Sequence, residues 1–138
     1  MTKTQYKFVH LTSYLTIVHG CIYYVFIEFM KIETEYGLRP HSFQSTFQAL
    51  HILLSPLLLF SFGILWKDHV LKFFKKRTRK LVSGSLLTIS LFSIGLSGYL
   101  IQIIYTPDPK KIAIWGHLAF SFIYILAYVV HHVKSYKK

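Results

Sequence analysis

The chain holds one cysteine, Cys21, in 138 residues, so no internal disulfide can form. Acidic side chains are almost as scarce, at five against sixteen lysines and arginines. Proline occurs four times, and only Pro56 falls within an apolar stretch. No Gly-rich phosphate loop, His-Glu-x-x-His run or serine-nucleophile elbow is present. These absences leave soluble-enzyme chemistry no evident home. Low-complexity tracts and internal repeats are missing as well.

What the chain has is apolar length. Hydrophobic residues make up 53% and aromatics 17%, too much for an ordinary small soluble domain. A hydrocarbon core about 30 Å thick needs about 20 apolar residues per crossing helix. Four segments qualify: Phe8 to Met30, Phe47 to Trp66, Leu81 to Ile104 and Ile112 to Val133. Pro56 is tolerable in a membrane helix where neighbours satisfy the freed carbonyl. The first segment is longer than a signal-peptide apolar region and lacks a small-residue cleavage site, so it is expected to remain as a helix. The connection Thr106 to Lys110 is tight, which makes the third and fourth helices antiparallel neighbours. Residues Lys31 to Thr46 form the longest loop. The expected fold is all-α: one domain, 1–138, an up-down four-helix bundle in the membrane.

The basic residues sort by loop. Lys67, Lys72, Lys75, Lys76, Arg77, Arg79 and Lys80 crowd the second connection. Lys3, Lys7, Lys134, Lys137 and Lys138 bring that side to 12, against Lys31, Arg39, Lys110 and Lys111 on the other. The positive-inside rule then puts both termini and the second connection in the cytoplasm. The basic loop is read as an orientation signal with anionic-lipid contact, not as a nucleic-acid site.

Eight histidines in such a chain are a high count. An imidazole inside a membrane is costly without a partner and is a functional candidate by default. His117 and His131 lie fourteen residues apart on the fourth segment, close to four helical turns. Their rings therefore point roughly the same way, about 21 Å apart along the axis. Two haems stacked across one bilayer need about that separation. No Cys-x-x-Cys-His occurs, so any haem is held without thioether bonds. His51 lies near the outer start of the second segment and shares a level with His117; two imidazoles from two helices can hold one low-spin haem iron. His10 on the first segment shares the inner level with His131. His132 is turned about 100° from His131 and remains an alternative. His69 is the other alternative: it lies eighteen residues, five turns, beyond His51 and so on the same face, but it follows Lys67 and Asp68 near the interface. His19 reads as an interhelical hydrogen bonder, and His41 as a solvated loop residue.

Gly84 and Gly98 on the third segment are also fourteen residues apart, at the levels of His131 and His117. A flat macrocycle between helices needs a helix edge without side chain, and glycine supplies one; small-residue helix packing is the other reading. Glu28, Gln48 and Gln102 fall near the outer helix ends, where a carboxylate can take a proton from a quinol, or where a polar ring simply meets the interface. Tyr23, Tyr24, Tyr99 and Tyr105 read as an aromatic belt.

The run Ser97 to Gln102 (SGYLIQ), the triplet Trp115-Gly116-His117 and the segment Tyr128-Val129-Val130-His131 resemble four-helix bacterial di-haem b-type cytochromes, the cytochrome b-561-like membrane family. His51 to Pro56 (HILLSP), with Gly63 and Trp66, adds to the likeness, which extends over the whole chain at family level. It implies two haem b groups, one shared by the second and fourth helices (His51, His117) and one by the first and fourth (His10 with His131 or His132). His69 and the doubled His131-His132 depart from that pattern. The resemblance further implies transmembrane electron transfer in a bacterial inner membrane, quinol or quinone as exchange partner, and association with other redox subunits. The competing expectation is a membrane transporter or ion-handling subunit that uses its histidines without haem.

Overall fold

A computed structural model describes residues 2–72 and 81–136. The basic residues Lys75, Lys76, Arg77, Arg79, Lys80, Lys137 and Lys138, which carry much of the orientation argument, lie outside the described residues.

The first helix, α1 (Lys3–Phe29), starts five residues before the apolar run because Thr2 and Gln5 form a capping box. The Gln5 amide donates to Thr2 Oγ1 at 3.2 Å, and the Thr2 amide donates to Gln5 Oε1 at 2.9 Å. After α1 the chain forms a small antiparallel hairpin, β1 (Lys31–Thr34) with β2 (Gly37–Pro40), in register Thr34↔Gly37 to Lys31↔Pro40. The all-helical expectation missed this element. Its turn closes on Gly37 at φ 102°, a left-handed conformation that glycine adopts without Cβ strain. Helix α2 (Gln44–Leu65) follows, and passes into a π-helical turn at Trp66–Val70. Helices α3 (Leu81–Ile103) and α4 (Pro107–Tyr136) complete the chain.

The expected loop Thr106 to Lys110 is shorter than the sequence reading has it. Pro107 to Lys110 already form the first turn of α4, where a missing proline N–H costs nothing, and Asp108 faces the positive end of the helix dipole. The Lys110 amide closes that turn on the Thr106 carbonyl.

Each of the four helices is long and apolar enough to cross a membrane. By contacts the chain divides into two compact units, Met1–Trp66 and Lys67–Lys138. Within the first, α1 and α2 run antiparallel: Phe8 meets Phe60, Thr12 meets Ser61 and Phe26 stacks on Phe47. Within the second, α3 and α4 pair the same way, with Ser97 against His117 and Ser83 against His131.

Burial is inverted relative to a protein folded in water. The most enclosed side chains are Ser13, Ser61 and Ser90, while Leu11, Val18, Leu53, Phe60, Leu96 and Phe122 are exposed. Small residues that allow close approach take these interfaces, the pattern found between helices packed in an apolar solvent. Ser61 donates to the Leu58 carbonyl at 2.8 Å and accepts from Thr12 Oγ1 at 2.9 Å. Ser61→Ala is expected to cost about 0.6 kcal/mol, the typical worth of one interhelical hydrogen bond in a membrane protein. Ser61→Leu is expected to cost about 1–3 kcal/mol, because an enclosed site with no spare volume must open. Unfolding in mixed micelles measures both, and equal costs would contradict the packing argument.

Candidate imidazole sites

In the unit Lys67–Lys138, α3 and α4 keep one antiparallel register over four turns. That register repeats a single local arrangement. His117 lies against Gly98: a Cβ there would sit 3.3 Å from His117 Cε1 and 3.5 Å from Nδ1. His131 lies against Gly84, where a Cβ would sit 4.0 Å from His131 Cε1. In both cases the residue before the glycine is a buried serine facing the imidazole, Ser97 Oγ at 3.2 Å from His117 Nδ1 and Ser83 Oγ at 3.1 Å from His131 Nδ1. Gly98 thus makes room for the neighbouring helix's imidazole, while at Gly84 an added methyl would meet His131 in ordinary van der Waals contact. Their serine companions were not singled out from sequence, although each Ser-Gly pair carries the same fourteen-residue interval as the histidines.

The hydrogen bonds choose a tautomer at His117. Nδ1 also lies 3.2 Å from the Ile94 carbonyl oxygen, which can only accept. Ser97 spends its own proton on the Ser93 carbonyl at 2.7 Å, so its oxygen can accept as well. Nδ1 therefore carries the proton, and Nε2 of the neutral ring carries the lone pair. Orientation of one ring nitrogen by a backbone carbonyl, leaving the other as the donor atom, is the usual support of a metal-binding imidazole.

His69 sits in the π turn, half-buried, and its ring centre lies 6.3 Å from that of His131 with the planes at 83°. The α-helical count from His51 does not hold for it: α2 ends at Leu65 and the wider turn breaks the 3.6-residue phase. His132 stacks on Tyr128 (6.1 Å, 12°), which itself stacks on Tyr124 (6.1 Å, 25°). Both tyrosines are buried.

The unit Met1–Trp66 holds His51, His10, His19 and His41. His51 presses on Gly20, where a Cβ would come within 3.0 Å of His51 Cε1. Tyr23, one turn on, stacks against the same ring (6.2 Å, 29°), so it walls His51 instead of joining an aromatic belt. Tyr24, Tyr99 and Tyr105 are exposed as a belt requires. The sequence reading missed Gly20; an isolated glycine inside an apolar helix was the available signal. Ser55 Oγ donates to the His51 carbonyl at 2.9 Å, one residue before Pro56. His10 has Tyr6 edge-on at 4.1 Å and Tyr14 at 6.3 Å. His19 packs 5.7 Å from Phe47, and its buried Nδ1 has no hydrogen-bond partner among the described residues, contrary to the interhelical bond expected of it. His41, in the loop before α2, is half-buried between Phe26 and Phe43, and its Nδ1 accepts from the Phe43 amide at 3.2 Å. Glu28 and Gln102 are exposed and Gln48 is half-buried.

No family model, curated protein or solved structure matches this chain.

Proposed function

We propose that this chain is a multi-pass membrane cytochrome of the b type that carries two haem b groups and passes electrons across the bilayer. The observation that carries this reading is the repeated Ser-Gly cradle under His117 and His131, at an interval of fourteen residues, with His117 Nε2 holding the lone pair. A membrane imidazole kept only for helix packing has no need of a fixed tautomer. Nor does it need a second copy of its surroundings four turns away.

The residues fit the group on chemical grounds. Haem iron in electron-transfer proteins takes axial imidazoles, and the flat ring needs apolar walls that exclude water. His117 would supply one imidazole to the outer iron, and the family resemblance names His51 as its companion. The inner iron would take His131; the family resemblance names His10 as its companion, with His132 and His69 as the alternatives. Bound haem contributes one-electron chemistry at iron; the chain contributes ligation, orientation and a dry surround. Ser97 and the Ile94 carbonyl hold the His117 ring, and Ser83 holds His131. Both termini and the basic connection face the cytoplasm in a bacterial inner membrane, where the lysines and arginines meet anionic lipid. Quinol or quinone is the proposed exchange partner at the outer end, with Glu28 as a proton acceptor, and other redox subunits supply or take the electrons at the far side.

The reduced-minus-oxidised absorbance spectrum of the purified protein tests this. Low-spin b-type bands with about two haems per chain are expected. A colourless protein would end the cytochrome reading and leave the haem-free transporter or ion-handling subunit in its place.

A further inference from the structure

Resting on the haem reading above, we infer that the inner iron is held by His69 and His131, both within the unit Lys67–Lys138, and not by His10. The argument is geometric. A metal–imidazole nitrogen bond is about 2 Å, and the nitrogen lies about 1 Å from the ring centre, so two axial imidazoles on one metal have centres about 6 Å apart. The His69 and His131 rings are 6.3 Å apart. Two axial rings share the line through the metal and can turn about it independently, so planes at 83° suit coordination as well as parallel planes do.

The surroundings agree. His131 has its Nδ1 beside Ser83 Oγ and its Cε1 toward Gly84, the arrangement that fixes His117. His69 is delivered by a π-helical turn, a rare element that is frequent at functional sites. Val70, next to it, is buried, and His69 itself is half-buried. His132 is taken up by its stack on Tyr128 and points away from the ring it follows in sequence.

The test uses the full-length chain purified with its own haem, and reads haem-to-protein ratio, electron paramagnetic resonance and midpoint potentials. His69→Ala is expected to halve the haem content, while His10→Ala keeps both haems and both low-spin signals. His69→Met is expected to keep both haems and raise the potential of one, with the absorption signature of His–Met ligation. A merely structural His69 cannot produce that signature. Two haems with unchanged signals in His69→Ala would overturn the assignment, as would loss of one haem in His10→Ala alone. Should His69→Ala fail to accumulate, His69→Met decides: two haems at unchanged potentials overturn the assignment. Absence of haem from the unsubstituted protein would overturn the cytochrome reading itself, and this assignment with it, which separates the two failures.

Discussion

His117→Ala is expected to remove one of the two haems, halving the haem-to-protein ratio, while the helical content of the purified protein is unchanged. Truncation at Cβ deletes the Nε2 donor and leaves a ring-shaped void over Gly98, lined by Ser97 Oγ and the Ile94 carbonyl. Those two acceptors keep their positions, because Ser97 is itself bonded to the Ser93 carbonyl at 2.7 Å. Exogenous imidazole can then enter the void with Nδ1–H toward Ile94 and Nε2 outward, and it is expected to restore the lost haem. Ser97→Ala should behave differently. It keeps the ligand and one of the two acceptors, so haem affinity falls about 10–100-fold, the usual effect of removing a group that orients a metal-binding imidazole. Titration of haem into the apoprotein, monitored by the Soret band, measures all three. A Ser97→Ala variant as empty as His117→Ala, or no rescue by imidazole, would show that the cradle serves packing alone.

The second large effect is expected from the glycines, and it should be graded. At Gly20 an added methyl meets His51 Cε1 at 3.0 Å, the tightest of these approaches, so the His51 ring must give by a few tenths of an ångström. At Gly98 the corresponding distance is 3.3 Å to His117, which asks the ring to yield by a few tenths of an ångström. Gly84 meets His131 only at 4.0 Å, an ordinary van der Waals contact, and at Gly63 and Gly116 no atom lies within 4 Å among the described residues. Alanine raises helix propensity over glycine by about 0.8–1.0 kcal/mol, measured in water, so the last two substitutions should be neutral or mildly stabilising. Haem retention after alanine substitution should therefore rank Gly20 as most sensitive, then Gly98, with Gly84, Gly63 and Gly116 near the unsubstituted protein. Leucine at Gly98 is expected to displace the His117 ring altogether and abolish the haem it holds. Equal losses at Gly63 and Gly98 would indicate general helix packing instead of clearance for an imidazole.

How much of this could be read from the residues alone follows from what each signal measures. Hydropathy finds the four helices because apolar runs of bilayer length have few other uses. It misplaces their ends, since Lys3 to Lys7 and Pro107 to Lys111 are helical without being apolar, held by a capping box in one case and proline in the first turn in the other. The hairpin Lys31 to Pro40 stays hidden because four-residue strands with mixed side chains give no clear alternation. Spacing on one helix exposes His117 and His131, and equal spacing on its neighbour exposes Gly84 and Gly98. What the glycines accommodate depends on the register between α3 and α4, which no single helix encodes. The α-helical count puts His69 on the face of His51, and Lys67 and Asp68 put it at the interface; the π turn that delivers it leaves no mark in hydropathy.

The constant register of α3 against α4 has one more consequence. His117 and His131 belong to a single uninterrupted helix, so the distance between them is set by helical rise, about 1.5 Å for each residue, and by nothing softer. A bilayer that thins or thickens is accommodated by helix tilt. Tilt changes how deep each imidazole sits and leaves the interval between them alone. The α3–α4 pair is in this sense a ruler. Its graduations are the two Ser-Gly pairs, and a one-residue insertion between Gly84 and Gly98 would put one mark out of step with its histidine while the other still fitted.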